Sequence, residues 1–169
     1  MRLLLTAPLP RWWLLFCRLL AGSLIAVLQA YTFLAIAALY GIRFPWLGYL
    51  AAAPAMAVAA MMLGALGLLL SSFIRQLENF AGVMNFVIFP MFFLSSALYP
   101  LWKMAEASPR LRDLCALNPF THAVELIRFS LYAKGNLTAL AVTLAAFAVF
   151  GLIAIWGYDP ARGLTARKA

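Results

Sequence analysis

Four long runs of this chain carry no charged residue, and they constrain its fold more than any other feature. Leu19 to Tyr40, Trp46 to Ile74, Phe80 to Leu101 and Leu137 to Trp156 are apolar almost throughout. A helix needs about 20 such residues to cross a hydrocarbon core of about 30 Å. In lipid every backbone N–H and C=O must be paired internally, so such runs form helices and not loops or open strands. Composition agrees, with 66% hydrophobic and 11% charged residues against about 45–50% and about 25% in soluble domains. The expected fold is all-α, a polytopic membrane protein with four transmembrane helices and no sizeable soluble domain.

The charges divide the chain. Residues 1–18 mix Arg2, Arg11 and Arg18 with Leu3–Leu5, Trp12 and Trp13, and are broken by Pro8 and Pro10. They read as an uncleaved segment lying at the membrane interface, where Trp and Arg are usual anchors. Spans follow at 19–40, 46–74, 80–101 and 137–156, and residues 157–169 form a short basic tail. The loop 102–135 is too patterned for a slack linker. Ser108-Pro109 and Asn118-Pro119 each have the form of an N-cap followed by proline at the first helical position. Phe120, Ala123, Val124, Ile127 and Leu131 then recur at helical spacing. Two short amphipathic helices, on or dipping into the membrane, fit this loop, with Gly135 as a C-terminal stop.

Some positions within the spans stand out. Gln29 is the one strongly polar side chain of the first run, of a kind that more often hydrogen-bonds to another helix than contacts a substrate. Ala53 and Ala57, then Ala60 and Gly64, repeat small residues four apart and allow close helix packing. The 80–101 run is interrupted at Pro90, which removes a helical hydrogen bond, and closes at Pro100. Ser95 and Ser96 follow about one and a half turns later and could satisfy the freed groups. Two readings fit: a tolerated proline in an ordinary span, or a functional kink facing protein or a polar path.

Net charge is +8, but basic residues at membrane borders explain it better than nucleic acid does. Three arginines precede the first span and one follows it, which favours both termini on the cytoplasmic side and the 102–135 loop outside. Cys17 and Cys115 then lie on opposite sides, so no disulfide is expected. His122 and Glu125 share a helical face but have no third ligand for a metal. No Ser-His-acid set and no phosphate-binding Gly-Lys loop is present. The chain is thus expected to be neither catalytic nor cofactor-binding.

Several stretches, in order and spacing, resemble the permeases of type-2 ATP-binding-cassette (ABC) exporters. They are Glu78-Asn-Phe-Ala-Gly-Val-Met-Asn85, Pro90-Met-Phe-Phe-Leu-Ser-Ser96, Pro100-Leu-Trp102, and Leu117-Asn-Pro-Phe-Thr-His-Ala-Val-Glu-Leu-Ile-Arg128. Leu4-Leu-Thr-Ala-Pro-Leu-Pro-Arg-Trp12 is similar to that family's coupling segment. The resemblance implies that Leu4, Leu5, Thr6, Pro8, Arg11 and Trp12 contact an ATPase subunit. It implies that Asn85, Pro90, Phe93, Ser95, Ser96 and Pro100 border the translocation path or its kink. Asn118, Pro119, Thr121, His122, Glu125 and Arg128 would belong to re-entrant helices near the outer mouth. Implied partners are a separate ABC ATPase, a second permease copy and membrane lipid, and the implied location is a bacterial inner membrane. Such permeases have six spans and export hydrophobic, amphipathic or glycan-type substrates, so two spans are expected to be missing ahead of Met1. The competing reading is a truncated or non-transporting scaffold that only binds partner helices.

Overall fold

A computed structural model describes residues 11–74 and 77–157, and among them every regular element is a helix. In chain order these are α1 (Arg11–Leu39), α2 (Trp46–Phe73), α3 (Leu77–Phe93), α4 (Leu101–Ala107), α5 (Pro109–Leu117), α6 (Pro119–Leu131) and α7 (Leu137–Gly157).

Among the described residues three helices are long and apolar enough to cross a membrane: α1, α2 and α7. The first begins at Arg11, well before the charge-free run. Nothing after Pro10 breaks a helix until Gly41, whose φ of 90° makes the left-handed turn that ends it. The expected count of four full spans is not confirmed, because the third is short in its described residues. There α3 has 17 residues and stops at Phe93, not near Leu101. At 1.5 Å per residue it is about 26 Å long, short of the core thickness.

The core is organised around α2, which packs on α1, α6 and α7. Its small residues make this possible, since Ala52, Ala55, Ala59 and Ala65 are buried and let neighbouring helices approach closely. Met62 fills the centre beside Ala59 and Ala123. Leu34 of α1 meets Ala52 and Met56, and Leu126 of α6 meets Ala55 and Ala139. The tightest approach is at Gly48, where an added Cβ would overlap the Leu131 carbonyl. The helix continues through Pro54, which is exposed.

Around α3 the packing is thin. Met84 reaches α2 beside Gly67, but a cavity of about 90 Å³ separates the two helices at Leu63, Leu66, Ile88 and Met91. Phe86, Phe89 and Phe93 are 79%, 56% and 61% exposed, so most of this helix faces outward.

The loop holds three short helices where two were expected. Ser108 occupies the N-cap of α5 without a side-chain bond, whereas the Asn118 side chain does cap α6. The end of α6 also differs from expectation. Ala133, not Gly135, takes the left-handed conformation at φ 55°, and the N–H of Lys134 bonds back to the Phe129 carbonyl at 2.9 Å.

Candidate functional site

The end of α3 and the start of α6 are bound together by side chains from the 118–128 stretch. A helix that stops leaves its last carbonyls without partners, which is costly away from water. Asn118 supplies two of the missing donors: its Nδ2 donates to the Met91 carbonyl at 2.7 Å and to the Leu94 carbonyl at 2.9 Å. Its Oδ1 accepts the N–H of Phe120 at 3.0 Å, capping α6. One amide therefore ends α3 and begins α6. Pro119 sits at the first position of α6, where a missing N–H costs nothing.

Ser95 and Ser96 belong to the same joint. Both are fully buried. The Ser95 hydroxyl donates to the Phe92 carbonyl at 2.6 Å and accepts the N–H of Ala97 at 3.2 Å. That local bonding competes with continued helix and accounts for the stop at Phe93. Ser96 Oγ donates to the Thr121 carbonyl at 3.4 Å. The two serines thus do not satisfy the groups freed by Pro90, as expected from sequence; they terminate the helix and dock it on α6. Pro90 itself lies in the last turn of α3 and is exposed, and its carbonyl accepts the N–H of Leu94 at 2.9 Å.

Arg128 completes the joint from three turns along α6. Its Nη2 donates to the Ser96 carbonyl at 2.7 Å, and its Nη1 stands 3.8 Å from Glu125 Oε1. That carboxylate is partly exposed and contributes little as an ion pair. His122 turns the other way: Nε2–H donates to the Ala116 carbonyl at 2.9 Å, tying α6 to the end of α5. The arrangement leaves His122 and Glu125 in structural bonds, and among the described residues no group of three metal-ligating side chains occurs. Thr121 is fully buried beneath the joint, with no partner for its hydroxyl among the described residues. Cys115 packs here too, and burial pushes its thiol pKa up.

The remaining sequence-derived positions are dispersed. Asn85 and Phe93 lie exposed on α3, with Phe93 stacked on Phe89 at 6.5 Å between ring centroids. Pro100 precedes α4 with an extended backbone, φ −59° and ψ 146°. Leu4, Leu5, Thr6 and Pro8 lie outside the described residues. Arg11 opens α1, and Trp12 is half-exposed, edge-on to Trp13 at 5.5 Å. Sequence reasoning named Asn118 and Arg128 but not what they hold, which is backbone at Met91, Leu94 and Ser96. No side-chain pattern marks a carbonyl acceptor, so only the stop at Ser95-Ser96 could have hinted at it.

Comparison with known proteins gives the arrangement a context. Nodulation protein J of Rhizobium leguminosarum bv. viciae is 30% identical over 83 residues, covering 49% of this chain and 31% of that protein. The chain thus matches about a third of the length of this curated relative. No solved structure matches. Residues 1–132 match the family described as ABC-2 type transporter, taking in the first two long helices, α3 and the whole joint. A match over so much of the sequence, on a chain with three long apolar helices among its described residues, makes this chain a member of the ABC-2 type transporter family.

Proposed function

We propose that the chain is the membrane subunit of an ABC-type export system, driven by ATP hydrolysis on a separate subunit and paired with a second permease copy. Its cargo is hydrophobic, amphipathic or glycan-type, and it works in a bacterial inner membrane with both termini cytoplasmic. One observation supports this most: the bonds from Asn118 and Arg128 fasten the outer end of α3 to α6, while the length of α3 is loosely packed. A helix held firmly at one end, on an α6 that is itself packed against α2 and α7, and thinly along its side can pivot about that end. With the second copy facing Phe86, Phe89 and Phe93, such a swing would open and close a path between the two chains.

Energy enters at the other end. Leu4, Leu5 and Pro8 fill a groove on the ATPase, with Arg11 against an acidic rim and Trp12 beside it. Truncating apolar anchors at an interface costs about 2 kcal/mol or more each, whereas rim charges mainly alter association rate and salt dependence. In the complete transporter, Leu4→Asp combined with Leu5→Asp should abolish both ATPase co-purification and export while leaving membrane insertion normal. Retention of the ATPase by an inserted double variant would reduce the segment to an anchor.

A further inference from the structure

Between α1 and α2 the helices part and leave a groove of about 520 Å³, within the range of about 300–1,000 Å³ typical of ligand sites. Small residues make its width, among them Gly22 and Ala26 on α1 and Ala60 and Gly64 on α2. Arg18 stands at one end, and Ile127 of α6 closes the other. Gly22 is exposed, so the groove opens sideways to whatever surrounds the bundle.

We propose that this groove holds one acyl chain of an anionic phospholipid, with the headgroup phosphate on Arg18. Length is the first argument. The lining runs from Arg18 to Ala30 on α1 and from Met56 to Leu68 on α2, about 18 Å of helical rise on each. That is close to one leaflet of a core about 30 Å thick, and too short for a crossing helix to lie in throughout. Depth is the second. From Leu19 to Leu39 the helix α1 rises about 30 Å, enough to fill the core and leave Arg18 at headgroup level. A guanidinium there can bind a phosphate through two parallel hydrogen bonds. Chemistry is the third. Ser23, the hydroxyl in the lining, already donates to the Leu20 carbonyl at 2.9 Å, so the interior has no polar group waiting for a sugar or peptide. Surrounding lipid tails are as apolar as the groove, so the chain gains shape complementarity and no hydrophobic transfer. Headgroup charge must then supply the selectivity.

Native mass spectrometry of the purified protein, titrated with phosphatidylglycerol or phosphatidylcholine of equal chain length, tests this. The anionic lipid should bind about fivefold more tightly, the effect of one basic residue at the surface. Arg18→Gln should bring the two lipids to parity, and Ala26→Phe should remove the tight site for both. A phosphatidylglycerol preference that survives Arg18→Gln overturns the proposal. Should Ala26→Phe fail to fold, a photoactivatable phosphatidylglycerol on the unaltered protein decides instead. Its label should concentrate between Gly22 and Ala30 and between Ala59 and Leu63, and even labelling around the bundle overturns the site. Gln29 lies exposed near the groove; efficient disulfide dimerisation of Gln29→Cys, in a background lacking Cys17 and Cys115, would put a second copy there in place of lipid.

Discussion

Asn118 serves three backbone groups with one amide, and its two ends can be separated by substitution. Asn118→Ser keeps an acceptor that can cap α6 but loses the amide that spans both carbonyls of α3, whereas Asn118→Ala loses everything. An N-cap is worth about 1 kcal/mol, and each hydrogen bond about 1 kcal/mol more. Thermal unfolding in detergent should rank the native protein above Ser and Ser above Ala. Equal loss in both variants would mean that the cap contributes nothing. Ala133 offers a test of opposite sign. Its left-handed backbone costs an L-residue about 1 kcal/mol that glycine avoids. Ala133→Gly should raise the melting temperature, while Gly135→Ala should leave it nearly unchanged.

At the scale of the element, α3 shows where sequence reasoning succeeds and where it stops. Its existence and apolar character were legible in the charge-free run, as were the cap at Asn118-Pro119 and the burial of Ala123, though Leu126 and not Ile127 is the other buried apolar residue of α6. Its end was not. Eight more uncharged residues follow Phe93 in that run, and the chain turns there through the Ser95 hydroxyl, folded back on Phe92, and the Asn118 amide on the Met91 and Leu94 carbonyls. Hydropathy averages over a window and cannot register one such bond. The same holds at α1, where the positive charge of Arg18 implied a boundary that the helix ignores. A long side chain can carry its charge to the interface while the backbone continues. Pro90 gains a narrower role from this. Set in the last turn of α3, it weakens the helix just before the joint by removing one hydrogen bond. Pro90→Ala should therefore leave expression and folding intact but lower export by the complete transporter, because α3 then loses the bending point beside the joint about which it pivots. Unchanged export at normal protein level would make it a tolerated proline.

For the molecule as a whole, the orientation proposed from the arginines before the first span is open to labelling. Cysteines introduced at Lys103 and Lys168, in a background lacking Cys17 and Cys115, should differ towards an impermeant thiol reagent on intact cells. Lys103→Cys should react and Lys168→Cys should not; the reverse pattern inverts the topology. A different consequence follows from the central place of α2, whose most extensive neighbour is α7, the last helix described. Ribosomes deliver helices in order, so α2 reaches the bilayer long before the surface that covers Ala55 and Met62 has been made. Until translation passes Ala139 and Phe150, its small-residue faces stand open to lipid or to any other helix nearby. The newborn chain thus passes through an interval of unassigned partnership, in which chaperones, proteases and foreign helices all compete for a surface that α7 later closes.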